Sequence, residues 1–353
     1  MTDVVRRTVA QLFMVPLPGP ELDRASREFL AAYPPGGVVL FKRNVRSAAQ
    51  LRALTRAIHA TGAGVAPLVA LDHEGGRVHR LPPPFTHFPP AATVAARDDA
   101  RLVETVGRAM GRELRAAGID LDFAPVLDVW SNPRNRVIGD RAFGTDPVRV
   151  ARLGIALARG LARAGVLACG KHFPGHGASV GDSHFVLPRV RRSRRALAAV
   201  EVAPFARAIA AGIPALMTAH VVYPALDPRL PATLSPTICQ DLLRRRLRFR
   251  GVLFSDDLEM NAVAARATPA ETAVRALLAG CDMLLVCQTV DAARAAMEGV
   301  ERAVLDGRLP AERLATALGR IQALRRRLAS VARPDAPLRW PAHARLAARL
   351  RAA

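Results

Sequence analysis

The feature that most narrows the fold of this chain is an eightfold alternation along its length. Short apolar runs recur at 11–17, 36–41, 67–72, 119–128, 166–173, 214–220, 251–257 and 281–287. Amphipathic stretches rich in Ala, Leu and Arg fill the intervals at 47–60, 98–117, 147–164, 196–211, 236–247, 269–279 and 291–304. A parallel sheet is covered on both faces and needs a crossover between neighbouring strands, so this pattern reads as repeated βα units. Eight such units predict an α/β fold with a single (β/α)8 TIM-type barrel, an architecture of about 250 residues plus insertions. A doubly wound sheet is the runner-up. Its nucleotide-binding versions lose their main support, because no G-x-G-x-x-G follows a strand and no G-x-x-x-x-G-K-[ST] occurs.

Local signals agree with this division. Ser47 with Gln50 three residues on reads as a capping box, and Pro269 suits a first helical turn. Gly118, Gly165, Gly212 and Gly280 stand where helices should stop ahead of a strand. The barrel is assigned residues 1–330, including a helix near 310–329, and 331–353 is expected to be a basic C-terminal tail; no second domain is expected.

Composition limits the partners. The chain has 353 residues, 50% of them hydrophobic, which excludes disordered and fibrous classes. Its formal charge is +21, yet only two of its 51 basic residues, Lys42 and Lys171, are lysine. The arginines are scattered through helical stretches and aromatic content is 5%, so no specific nucleic-acid partner is expected. Cys169, Cys239, Cys281 and Cys287 are too widely spaced for a zinc motif and read as core residues. No run of about 18 apolar residues or secretory h-region occurs, so the chain is expected to be cytoplasmic and not to enter a membrane; a monomer is expected.

In a barrel the reacting groups sit at the carboxyl ends of strands. Asp72, Asp256 and Asp257 each end an apolar run, where an isolated charge would be costly without a partner or a solvated pocket. Helix capping is the plain alternative for the last two. The segment KHFPGHGASVGDSHFVLP, 171–188, holds three histidines, a lysine and an aspartate among three glycines. His172, His176 and His184 are conceivable metal ligands, but they lack a helical H-x-x-x-H pair and Lys171 would repel a cation. The glycines with Lys171 also suit an anion cradle, though the spacing matches no nucleotide loop. The third reading is acid/base chemistry: Asp182, two residues from His184, would fix its tautomer and raise its basicity. With a strand-end carboxylate, that dyad suggests double displacement through a covalent ester. No G-x-S-x-G elbow supports serine hydrolysis.

Taken together, KHFPGHG with the DSH of 182–184, DHEGGRV at 72–78, GDRAFG at 139–144, MTAH at 217–220 and FSDDLEM at 254–260 resemble glycoside hydrolase family 3. Within it, the chain is most similar to the bacterial cytoplasmic β-N-acetylglucosaminidases of peptidoglycan recycling. The resemblance runs from about residue 8 to 305 and implies roles by matching position. Asp256 matches the nucleophile, His184 the acid/base and Asp182 its supporting carboxylate. Asp72, Arg80, Arg141, Lys171 and His172 match the residues that bind the non-reducing N-acetylglucosamine, while His176 and His220 are expected to be structural. Two-domain β-glucosidases of the family take their acid/base from an additional domain for which this length leaves no room, which favours the histidine loop. The chain departs from the family at His73, where glutamine is usual, and this bears on contacts near Asp72. The implied activity is retaining hydrolysis of N-acetylglucosamine from 1,6-anhydro-N-acetylmuramic acid or its peptides, without metal or organic cofactor. A β-glucosidase or an N-acetylglucosaminide phosphorylase of the same family is the alternative.

Overall fold

The computed structural model describes residues 2–62, 65–180, 187–265, 267–329 and 338–352. Eight parallel strands close a barrel in chain order: Phe13–Pro16, Gly37–Val39, Leu68–Leu71, Leu121–Asp122, Leu167–Phe173, Ala215–Thr218, Val252–Asp257 and Met283–Leu285. The last pairs with the first, setting Phe13 opposite Leu284 and Met14 opposite Leu285. All eight expected runs therefore supply a strand of a (β/α)8 barrel. All eight strands are buried throughout except for the two aspartates that end the seventh, as suits a sheet filled on one face and covered by helices on the other. The fourth run keeps only two residues in the regular ladder; beyond Asp122 its pairing with the fifth strand is irregular, with the carbonyls of Ala124 and Pro125 accepting from the N–H groups of Cys169 at 2.9 Å and Lys171 at 3.0 Å, and Pro125 itself has no N–H to give.

The helices follow their signals closely. Ser47, Asp99, Asp146, Ser193, Thr268 and Thr289 each accept a hydrogen bond from the first turn of the helix they open. The reciprocal half of the expected capping box is displaced by one residue, since Gln50 Oε1 accepts from the N–H of Arg46 at 2.8 Å rather than from Ser47. The stretch expected as one helix over 196–211 is two, Arg194–Ala199 and Ala203–Ala210. Between them the fully buried Glu201 is turned inward to Arg192 at 3.3 Å and Ser131 at 3.2 Å. Among the elements that carried no signal that was read are helices Thr2–Ala10, Arg24–Ala32 and Ala91–Ala95, and a hairpin pairing Val222–Tyr223 with Asp227–Pro231.

Many arginines are spent on the face of the barrel away from the strand carboxyl ends. Asp282, immediately before the eighth strand, is fully buried and meets Arg244 at 2.5 Å, Arg320 at 2.9 Å and Arg313 at 3.0 Å. Asp120, just before the fourth, is held by Arg115 at 2.9 Å and His59 at 2.7 Å. The expected tail boundary lies in 330–337, outside the described residues. Beyond it, helix Pro341–Arg351 buries Leu346, Ala347 and Leu350 and is tied to the barrel by His343 Nδ1 and Glu113 Oε1, 2.8 Å apart. All four cysteines are buried. Among the described residues no helix is long and apolar enough to cross a membrane.

Candidate active site

The strand carboxyl ends surround a cavity of about 520 Å³. The third strand delivers Asp72, and the loop after it Glu74 and Arg80; the loop after the fourth delivers Arg141; the end of the fifth delivers Lys171 and His172; the seventh ends in Asp256 and Asp257. Asp72, Arg80, Arg141, Lys171, His172 and Asp256, which are far apart in sequence, thus line one space. Asp182 and His184 lie outside the described residues.

One wall is a buried charge cluster. Lys171, 2% exposed, places Nζ 2.5 Å from Asp72 Oδ1 and 2.7 Å from Glu74 Oε1. Glu74 also takes a two-pronged contact from Arg141, whose Nε and Nη2 each lie 2.8 Å from its oxygens. Burial alone would push the Glu74 carboxyl up, but Arg141 and Lys171 outweigh it and hold it far below the usual range. Burial likewise disfavours the Lys171 ammonium, and Asp72 and Glu74 overcome that. Both partners stay charged at neutral pH. The other side of Asp72 faces Arg80, with Nη2 3.6 Å from Oδ2.

A second support stands behind His172. Asp128 is fully buried and accepts from His172 Nδ1 at 2.7 Å and from the backbone N–H of His176 at 2.6 Å. Donation through Nδ1 leaves Nε2 as the His172 nitrogen available to the cavity. Burial raises the Asp128 carboxyl, but His172 and His176 together hold it below its ordinary value. The turn that brings these groups together depends on glycine. A Cβ on Gly177 would overlap the Val129 carbonyl oxygen, and Gly175 sits at φ 133. Beyond the turn, a bridge between Val180 and Arg189 draws the two flanks of 181–188 together.

The paired aspartates behave oppositely. Burial raises Asp256, yet His220, His172, the N–H of Asp257 and Lys171 more than offset it, so its carboxylate is held below its ordinary range. Asp257 is pushed up to about 7, first by burial and then by Glu259 and Asp256, despite accepting N–H bonds from Glu259 and Cys287 at 3.1 Å each. Neither caps the following helix Asn261–Ala264, whose N-cap is Met260. His220 donates through Nε2 to the Asp257 carbonyl at 2.9 Å and pairs its Nδ1 with Thr233 Oγ1 at 2.7 Å, so both ring nitrogens are engaged by protein groups. His176 pairs Nδ1 with Ser179 Oγ at 2.8 Å, and burial pushes it down to about 4.

His73, where the chain departs from the family, does not line the cavity. It is buried, its ring lies 4.4 Å from that of His79, and its N–H donates to Asp122 Oδ1 at 2.9 Å. Among the described residues no three His, Cys, Asp or Glu side chains form a group able to hold a metal ion. Sequence reasoning missed Glu74 and Asp128 as working parts, and it named Asp257 only as a strand-end carboxylate without assigning it a role. Glu74 was visible two residues after Asp72, and Asp128 closes the run 119–128, but their partners are set only by the closed barrel.

An ionised strand-end carboxylate thus shares one cavity with a cluster of paired charges, and comparison with known proteins shows what kind of barrel carries it. Residues 4–324 match the Glycosyl hydrolase family 3 N terminal domain. The chain belongs to glycosyl hydrolase family 3. It is 45% identical over 291 residues to a beta-hexosaminidase of Methylococcus capsulatus, covering 82% of this chain and 86% of that protein. A glycoside hydrolase family 3 beta-N-acetylglucosaminidase from Paenibacillus sp. superposes with a TM-score of 0.94 at 39% identity, covering 98% of this chain and 68% of that one. NagZ from Neisseria gonorrhoeae, in complex with N-trifluoroacetyl-D-glucosamine, superposes with a TM-score of 0.79 at 36% identity over 96% of both chains. The chain is a glycoside hydrolase.

Proposed function

We propose that this chain is a retaining β-N-acetylhexosaminidase that removes terminal β-linked N-acetylglucosamine. The observation that carries the reading is Asp256: a carboxylate kept ionised at the end of the seventh strand, in the same cavity as Asp72, Arg80, Arg141, Lys171 and His172. In the first step Asp256 attacks the anomeric carbon while His184 gives a proton to the departing oxygen, forming a glycosyl ester. In the second His184, now neutral and oriented by Asp182, takes a proton from water, which opens the ester and restores the β-configuration. Lys171 and Asp72, locked together, offer one donor and one acceptor set to sugar hydroxyls, and Arg141 is aimed by Glu74. The names of the relatives support the sugar. The family branch supports the wider setting: muropeptides carrying N-acetylglucosamine on 1,6-anhydro-N-acetylmuramic acid, recycled by a monomer in the cytoplasm.

Hydrolysis of 4-nitrophenyl β-N-acetylglucosaminide and β-glucoside, measured side by side, tests this. A strong preference for the N-acetyl substrate, reduced about 10³-fold or more in Asp256→Ala, is expected. Nuclear magnetic resonance of the first-formed product should show the β-anomer. Product that is a sugar 1-phosphate when phosphate is present would identify a phosphorylase instead, and activity surviving Asp256→Ala would sink the mechanism.

A further inference from the structure

A second cavity, of about 550 Å³, adjoins the first and shares one wall with it. Arg80 lines both, reaching Asp72 on one side and standing beside Lys42, Arg46, Arg77 and His79 on the other. Among the described residues no carboxylate lines this second space. The acids that its cations do meet lie outside its lining: Asp72 is 3.6 Å from Arg80, while Glu21 is 3.4 Å from Arg46 and Asp140 is 3.2 Å from Arg77, the last two being solvent-exposed pairs of the kind worth about 0–1 kcal/mol. Lys42 makes no ion pair among the described residues. His79 is pushed down to about 4 by burial and by neighbouring positive groups, so the charge is carried by the lysine and three arginines. Two of the lining residues also hold buried nitrogens without a partner among the described residues, Arg80 Nε and His79 Nδ1. Of the only two lysines in an otherwise arginine-based chain, one lies in each cavity.

Position assigns this space to a particular end of the substrate. It is built by the loops after the second and third strands, and in a ring of eight the third strand stands opposite the seventh, which carries Asp256. A pyranose whose C1 meets Asp256 therefore directs the opposite edge of its ring, C4 with the C5–C6 arm, toward Asp72 and Arg80. A group attached there continues past Arg80 into the second cavity, away from the bond that breaks.

We infer that the second cavity is an anion subsite for the glycone, which takes a phosphoryl group carried on the 4- or 6-position of the N-acetylglucosamine ring. Arginine forks and the Lys42 ammonium match phosphate oxygens, and the cavity supplies them without a competing carboxylate. The inference rests on the reading of the first cavity as the N-acetylglucosamine pocket.

Calorimetric titration of the full chain with N-acetylglucosamine, its 4-phosphate, its 6-phosphate and inorganic phosphate tests it, alongside Lys42→Ala/Arg46→Ala. Both substituted side chains are exposed, so the variant should fold. One of the sugar phosphates is expected to bind at least tenfold more tightly than the neutral sugar, with the advantage shrinking as salt rises. The double variant should abolish that advantage while binding the neutral sugar, and cleaving 4-nitrophenyl β-N-acetylglucosaminide, as the parent does. The inference is overturned if neither sugar phosphate outbinds the neutral sugar, or if the advantage survives in the variant. It is also overturned if inorganic phosphate binds as tightly as the sugar phosphates, which would make this a free-anion site. Should the neutral substrate be neither bound nor cleaved, the hexosaminidase reading fails separately, and Lys42-dependent binding of a sugar phosphate still decides the subsite.

Discussion

Adjacent residues of one type can be driven to opposite protonation states by what faces them, and Asp256 and Asp257 are such a pair. Cations and an N–H hold the first ionised, whereas burial beside two other carboxylates brings the second up to about 7. In an unfolded chain Asp ionises near about 3.9. Between that value and 7 the folded protein keeps a proton on Asp257 that the unfolded chain has released. This contribution to stability is therefore complete below about pH 4 and is lost as the pH rises through 7. Asp257→Asn cannot ionise and keeps an oxygen to accept the Glu259 and Cys287 N–H groups. Its Tm should gain on the parent steadily from pH 4 to 7 and then level off; thermal melts across pH 4–9 showing a constant difference would contradict the assignment. From sequence, SDD announced a functional carboxylate, and matching by position selected the first of the two. The opposite titration of the second was not legible, because it comes first from burial and then from the charge of Glu259, and only the folded barrel sets how deeply Asp257 is buried.

At the scale of elements, the barrel was legible because each strand is a buried apolar run and several of the helices carry their own cap, as Ser47, Asp99, Asp146 and Thr268 do. What escaped were pieces whose burial is decided by distant partners. The break at Val200–Val202 follows Glu201 inward, and the second half of the run 119–128 pairs only irregularly with the fifth strand around Pro125. The turn after the fifth strand combines both kinds of information. Its glycines and histidines marked an irregular loop, but only the fold sets Gly177 against the Val129 carbonyl, next to Asp128 and thus behind His172. Gly177→Ala must push that turn away from the fourth-strand loop. A loss of about 1–3 kcal/mol in stability is expected, as for an overpacked site, with a fall in kcat larger than any change in KM. Denaturation and steady-state kinetics on the same preparation would check both; wild-type kcat in the variant would show that the contact does not position His172.

For the whole molecule, a charge of +21 concentrated in arginine is scattered rather than gathered for a nucleic-acid partner, and the structure shows a use for part of it. Three arginines from two separate helices converge on Asp282 beneath the barrel. Asp282→Ala would leave them facing one another with their buried counter-charge gone. A cost of about 3–5 kcal/mol is expected, read as a lowered denaturant midpoint, while kcat of the protein that remains folded should be unchanged because the site lies at the opposite end of the strands. A midpoint within error of the parent would refute this. The sequence by itself determined the eight βα units, their order, and the residue types available at the strand ends, since hydrophobic period, caps and turn residues act over a few neighbours. Only the tertiary structure decided which of those residues meet. Ring closure sets Lys171 between Asp72 and Glu74, gives Arg141 its partner, and places Arg80 between two cavities. Electrostatic pairing acts over a few ångströms of space, a distance that separation along the chain does not reveal.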